Sequence, residues 1–195
     1  MKNNILIVVT STSTYKDAQL KTGLWLSELT HFYNQFKEQG CDITIASPNG
    51  GNTPIDPESL KPLMMDSVSK KYWQDDTFRS LLQNTKCLKD IASNQFDIVY
   101  LTGGHGTMYD FPSNEYLQNI IKVHYEQGKI IAAICHGVCG LLNVTLTNSQ
   151  NLISGKKITG FNWFEESLAR RKKVVPFNLE EELKQRTNHY KKAIF

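Results

Sequence analysis

The chain has 195 residues, of which 40% are hydrophobic and 21% charged, with a formal net charge of +3. That balance excludes a disordered or fibrous chain, and the length suits one domain burying roughly 70% of its unfolded surface. The basic excess gathers late, in Arg170-Arg171-Lys172-Lys173 and Lys191-Lys192, a short run that reads as a solvated face and not as a nucleic-acid footprint.

In chain order, Ile5 to Val9 is a buried strand ended by the polar run Thr10-Ser11-Thr12-Ser13-Thr14. The spacing of Trp25, Leu29, Phe32 and Phe36 predicts a helix over 22–39, closed by Gly40. Asp42 to Ser47 is the second strand, and Pro48-Asn49-Gly50-Gly51 a turn. Residues 52–76 hold Pro54, Pro57 and Pro62 with little periodicity, which predicts a long loop of the functional or mobile kind. Helix follows over part of 78–91, then a strand over 96–101 that runs into Thr102-Gly103-Gly104-His105-Gly106. A helix is expected over 114–127, a strand from Lys129 into Cys135, a short strand at 157–159 and a short helix over 179–186. Such alternation means a parallel sheet with helices on both faces and an active site at the carboxyl ends of the strands.

The most informative stretch is Lys129-Ile-Ile-Ala-Ala-Ile-Cys135-His136-Gly137-Val-Cys139-Gly140. Cys135 stands where a strand turns sharply into a helix, with Ala133 and Gly137 in the small positions of a Gly-x-nucleophile-x-Gly pattern. Helix N–H groups aimed at the sulfur would favour thiolate and lower its pKa. The competing reading is a buried core cysteine. The remaining cysteines, Cys41, Cys87 and Cys139, give no paired metal-site spacing, so no metal and no other cofactor is expected. The Ile5–Val9 run is too short for a signal peptide or a membrane span. A reduced, cytoplasmic protein with no membrane contact is the expectation.

Three constellations belong beside Cys135. Gly103-Gly104-His105-Gly106, at the end of a neighbouring strand, either presents backbone N–H groups to an oxyanion or is a plain turn. Glu28 falls on the apolar face of its helix, three residues after Trp25. By itself that position favours a carboxylate reaching the rim; burial would instead raise its pKa and make it a proton carrier. Glu165 and Glu166 follow a strand end and read first as a helix start, with a histidine-orienting role as the alternative.

Ala132-Ala133-Ile134-Cys135-His136-Gly137, Thr102 to Gly106 with Asp110-Phe111-Pro112, and Ile158-Thr159-Gly160-Phe161 through Glu166 together resemble the ThiJ/PfpI superfamily, of class I glutamine-amidotransferase-like fold. Thr22 to Leu29 and Ala46 to Gly51 are similar to its heat-shock chaperone and glyoxalase III branch. The resemblance spans essentially the whole chain. It implies one flavodoxin-like domain over 1–195, shortened at the C-terminus, with Cys135 as nucleophile and Glu28 carrying protons beside it. His136 would be the neighbouring base and Glu166, the better match of the two acids, would orient it. Gly104 and His136 N–H groups would form an oxyanion hole beside Gly103, and His105 would line the pocket.

The activities implied are a glutathione-independent glyoxalase III-like conversion of methylglyoxal to lactate, or removal of glycation adducts, in stress defence. The alternative is a holdase chaperone or redox stress sensor. A dicarbonyl substrate, unfolded or glycated proteins and a second copy of the chain are the implied partners. A glutaminase would need a distant histidine and acid, and only His189 follows His136. A peptidase is disfavoured because adjacent helical residues point about 100° apart, which sets His136 out of line with the sulfur.

Overall fold

A computed structural model describes residues 3–16 and 19–192. Five parallel strands, β1 (Asn4–Val8), β2 (Asp42–Ser47), β3 (Lys86–Cys87), β4 (Ile98–Leu101) and β5 (Ile130–Ala133), form one sheet in the order β3-β2-β1-β4-β5. Among the described residues seven α-helices accompany them: α1 (Leu26–Glu38), α2 (Ser67–Gln74), α3 (Asp76–Gln83), α4 (Thr107–Asp110), α5 (Glu115–Glu126), α6 (Trp163–Leu168) and α7 (Leu179–Arg186). No helix among the described residues is long and apolar enough to cross a membrane.

The period-2 geometry of a strand sends alternate side chains to opposite faces. Leu6 and Val8 of β1, with Val99 and Leu101 of β4, pack against Phe111, Leu117, Ile120 and Ile121. Ile5 and Ile7, with Ile98 and Tyr100, pack against Leu26, Leu29 and Tyr33 of α1 and Tyr72 and Phe78 of α2 and α3. Burial on both faces is why these strands read as continuous apolar runs and not as alternating ones. β5 forms one edge: Ile130 is exposed, and the strand pairs with β4 alone.

Several elements differ from the sequence-based expectation. α1 starts at Leu26 because the backbone of the preceding segment is engaged elsewhere: Leu24 N–H donates to Pro54 O (2.8 Å) and Asp56 N–H to Leu24 O (2.9 Å). The stretch 52–76 is not a loop throughout. It holds a 3-10 turn at Pro57–Leu60, N-capped by Asp56, and the whole of α2, N-capped by Asp66, whose Oδ1 accepts from Ser69 N–H (2.8 Å). Short helices with an aspartate cap escape a periodicity search; the caps themselves were the signal. β3, two residues long, was not foreseen. Residues 157–159 make no strand of the sheet; Ile158 forms an isolated parallel bridge with Tyr190. After Cys135 the chain winds as a 3-10 helix, Cys135–Leu141, and not as an α-helix.

The loop after β4 is tied down by Asp110. Its Oδ2 accepts from Thr10 Oγ1 (2.8 Å) and Ser11 N–H (2.7 Å), joining α4 to the end of β1. Burial pushes this carboxyl up to about 6. The two loops that carry Gly103 and Cys135 are therefore anchored to adjacent strand ends.

Docking of the misread segment rests on an aromatic cluster. Phe78 lies 5.0 Å from the Tyr33 ring and 4.9 Å from the Tyr72 ring, centroid to centroid, and is fully buried. Phe78→Ala should cost about 3–5 kcal/mol in a urea titration, the usual price of a buried phenylalanine. A loss below about 1 kcal/mol would mean that α2 and α3 are peripheral to the core.

Candidate functional site

The site forms where β4 and β5 end side by side. Ile134 is still extended (φ −128°, ψ 151°), and Cys135 then takes a left-handed backbone with φ +54°. A non-glycine residue in that region is uncommon and stores strain, which surrounding structure must hold in place. Here Ile134 N–H donates to Leu101 O (3.2 Å) and Gly137 N–H to Ile134 O (2.8 Å), clamping the turn from both sides. At Gly137 a β-carbon would stand 2.3 Å from Thr102 O, so the turn closes over β4 only with glycine there.

Gly103 admits the second component. A β-carbon there would fall 2.4 Å from Glu28 Oε2 and 2.8 Å from Cys135 Cβ. Without one, Gly103 N–H donates to Glu28 Oε2 at 2.8 Å. Glu28 sits in the first turn of α1 and aims inward, hydrogen-bonded to Cys135, and not out to the rim. Burial pushes its carboxyl up to about 7, against the opposing pull of the Cys135 and Gly103 hydrogen bonds.

The third component comes from α6. Asn162 caps this helix in a reciprocal box: its Oδ1 accepts from Phe164 and Glu165 N–H, and Glu165 Oε2 accepts from Asn162 N–H (2.7 Å). Both sequence readings of the paired acids hold at once. Glu165 starts the helix, and Glu166, one residue on, turns into the core. Glu166 Oε2 lies 2.9 Å from His136 Nε2 and Oε1 lies 2.8 Å from His105 Nε2. His136 Nδ1 in turn lies 3.3 Å from Cys135 Sγ. The expectation that His136 would stand out of line with the sulfur is corrected: it assumed helical geometry at Cys135, which the left-handed residue does not have.

The electrostatics are also different from the expectation. Burial works to raise Glu166, but hydrogen bonds from both histidines outweigh it and hold the carboxyl down at about 2. An ionised Glu166 can only accept, so both Nε2 atoms carry hydrogen and His136 presents a bare Nδ1 lone pair to the sulfur. Burial pushes His136 down to about 4, so its ring is neutral at pH 7. The Cys135 thiol is pushed up, by burial first and by the Glu28 carboxylate second; only the His136 and Gly104 backbone N–H groups pull it down. The predicted depression by N–H groups at the helix start is outweighed by burial and by the Glu28 carboxylate. A resting thiolate–imidazolium pair is disfavoured at both partners. Instead, one proton is contested between a thiol and a carboxyl, each held above its ordinary value.

The structure thus brings Cys135, His136, Glu28, Glu166, Gly103, Gly104 and His105 to one place. Sequence reasoning missed Phe161, whose ring stacks on His136 at 4.3 Å between centroids and whose N–H donates to Cys135 O (3.4 Å). It also missed Tyr100, whose hydroxyl donates to Glu28 O (2.9 Å). Tyr100 lies in the apolar run Ile98–Leu101, where nothing separates a site aromatic from a core one, and Phe161 stands between Gly160 and Asn162 with no neighbour that marks its role.

A raised carboxyl has a thermodynamic signature. Between its ordinary value near 4.5 and its folded value of about 7, Glu28 ionises in the unfolded chain before it does in the folded one. The wild-type protein therefore loses stability as pH rises through that window, by about 3 kcal/mol once past it. Glu28→Gln keeps an acceptor for Gly103 N–H without the charge. It should melt higher than wild type at pH 8, with the difference gone at pH 4.5. A variant that melts lower than wild type at pH 8 would show that Glu28 is not buried as described.

Comparison with known proteins gives a consistent picture. The DJ-1/PfpI family profile matches residues 20–178. Glyoxalase 3 of Candida albicans is 32% identical over 168 residues, covering 84% of this chain and 71% of the relative. The glutathione-independent glyoxalase HSP31 of Saccharomyces cerevisiae is 30% identical over 169 residues, covering 84% and 70%. Among solved structures, the 24 kDa rapid encystment protein of Francisella tularensis superposes with a TM-score of 0.93 at 40% identity, over 99% of this chain and 84% of that one. Glyoxalase III of Candida albicans superposes with a TM-score of 0.88 at 28% identity, over the same shares. With the family profile covering most of its length and the strand-end cysteine in place, the chain belongs to the DJ-1/PfpI family.

Proposed function

We propose that this protein is a glutathione-independent glyoxalase that converts methylglyoxal to lactate, with Cys135 as nucleophile. The names of its relatives support the reaction class. The observation that carries the reading is a single sulfur flanked by two proton acceptors, Glu28 on one side and the His136 Nδ1 lone pair on the other. A thiol flanked in this way can be deprotonated as it attacks and need not rest as thiolate.

A cavity of about 390 Å³ opens on Cys135, with Glu28, Val138, Phe161 and Glu165 among its walls, ample for a three-carbon dicarbonyl. The sulfur adds to the aldehyde carbon as its proton passes to Glu28 or His136, giving a hemithioacetal. The backbone N–H groups of Gly104 and His136, which already act on the sulfur, are placed to receive the oxygen that gains charge. A proton then leaves the former aldehyde carbon and returns at the neighbouring carbon through an enediol, with Glu28 as carrier. That carbon is oxidised as its neighbour is reduced, so no outside oxidant is needed. Water cleaves the resulting thioester, releasing lactate and restoring the thiol. Glu166 holds the His136 tautomer in which Nδ1 can accept.

The purified chain should form lactate from methylglyoxal without glutathione. Cys135→Ser should abolish turnover with the fold intact, while Cys41→Ser and Cys87→Ser retain it. Wild-type turnover in Cys135→Ser would remove the nucleophile. The pH profile tests the carrier. A pair holding two protons is inactive, so kcat/KM should rise through pH 7 as Glu28 ionises, while His136 stays neutral. Glu28→Gln should lower the rate about 100- to 10,000-fold and lose the rise near pH 7. A profile unchanged in that variant would assign the inflection to another group.

A further inference from the structure

We propose that His105, His136 and Glu166 form a binding site for a divalent transition metal, and that filling it with zinc slows the nucleophile. The inhibitory consequence rests on the glyoxalase reading above; metal binding itself does not. The three side chains are buried, and each offers one ligand atom, all within 4.8 Å of one another. Two imidazole nitrogens with one carboxylate oxygen suit zinc, cobalt, nickel or copper and not the hard cations magnesium and calcium. None of the four cysteines is used, which is why an inspection of cysteine spacing passes over the cluster.

The present contacts, 2.8 and 2.9 Å, are those of hydrogen bonds. Zinc holds N and O ligands at about 2.0–2.1 Å, so neighbouring ligands in a tetrahedron stand roughly 3.3 Å apart. The two histidine–carboxylate contacts need to open by about half an ångström around the ion, and His105 is the one free to move. Its Nδ1 is buried with no hydrogen-bond partner, so a shift of the ring breaks no second contact. A cavity of about 390 Å³ lies against it, walled by Tyr15, Trp25, Asp56 and Arg171. That cavity supplies a route in and space for a water as fourth ligand. Asp56 lines the same cavity, so a carboxylate is at hand there to accept from Nδ1–H once the ring has shifted, the outer contact that metal-bound histidines usually make.

Binding forms two metal–nitrogen bonds and one metal–oxygen bond. The Nε2 hydrogen of each ring moves, through water, to that ring's Nδ1, so no net proton is released and no electron changes hands. His136 then presents an N–H to Cys135 where it had presented a lone pair. It can no longer take the thiol proton, which leaves Glu28 as the one acceptor at the sulfur, and Glu166 no longer fixes the tautomer that accepts. The switch acts through ring orientation and tautomer, with no metal contact to sulfur.

Calorimetric titration of the metal-free full chain with zinc should give one equivalent bound, retained in Cys135→Ser and weakened at least tenfold in His105→Gln. His31→Ala removes the exposed histidine paired with Asp66 and should leave binding unchanged. Cobalt(II) in place of zinc should give ligand-field bands without a sulfur-to-metal charge-transfer band. Zinc should suppress lactate formation, and a chelator should restore it. No binding, unaltered binding in His105→Gln, a thiolate charge-transfer band, or zinc-saturated protein that turns over at the metal-free rate would each overturn the proposal. If no lactate forms under any condition, the glyoxalase reading fails, while the calorimetric and cobalt results still judge the site.

Discussion

The absence of a side chain at Gly103 is the constraint on which the site depends. The volume that a β-carbon would fill is occupied by Glu28 Oε2 and approached by Cys135 Cβ. Two elements that are distant in sequence, the first turn of α1 and the turn after β5, meet through that gap, and the Gly103 N–H fixes the carboxylate there. Both strand ends are inserted into cores on the two faces of the sheet, so neither can retreat to relieve the crowding. The strained backbone at Cys135 persists for the same reason.

The close approach sets the chemistry. A carboxyl and a thiol that share so little solvent each resist ionisation; the carboxylate makes ionisation of the thiol harder, while the thiol's hydrogen bond partly offsets the burial of the carboxyl. In the proposed reaction, nucleophilicity comes from proton acceptors in contact with the sulfur, and not from a standing negative charge. The Glu166 carboxylate works in the opposite sense. It stays ionised because two N–H donors point at it, and it stabilises one tautomer of a neutral imidazole. The two carboxyls of the site thus differ by several pK units while lying on either side of one cysteine, an arrangement that separates a proton carrier from a fixed acceptor.

Much of this was legible in the sequence. The buried strands β1, β2, β4 and β5 announce themselves as short apolar runs, and α5 and α7 by periodicity with asparagine caps at Asn114 and Asn178. The turn at Cys135 was visible because Gly137, which the close approach to Thr102 O requires, follows the cysteine at the end of an apolar strand. Glu28 was ambiguous by position alone, since a carboxylate on an apolar stripe can lie at the rim or inside; only the partner at Gly103, 75 residues away, decides it. The ionisation of Cys135 was misjudged because dipole arguments take the local helix into account and omit both burial and the distant acid. α2 was hidden by prolines and weak periodicity, although its Asp66 cap was in plain view. Long-range contacts, not local propensity, supplied what was missing.

The N-terminal cap of α6 has one more implication, for how this family can vary. Asn162 and Glu166 stand one helical turn apart, so Asn162 O accepts from Glu166 N–H (3.0 Å) while the Asn162 side chain seals the helix end. The cap therefore acts as a gauge block between the loop that precedes it and the acid that follows. Insertions or deletions in the loop before Gly160 can be absorbed, because the cap re-establishes where the helix begins. A change of a single residue between Asn162 and Glu166 cannot, since it rotates the inward carboxyl by about 100° and presents Glu165 or Ser167 in its place. The loop is thus open to length variation among related chains, while the four-residue interval is closed to it.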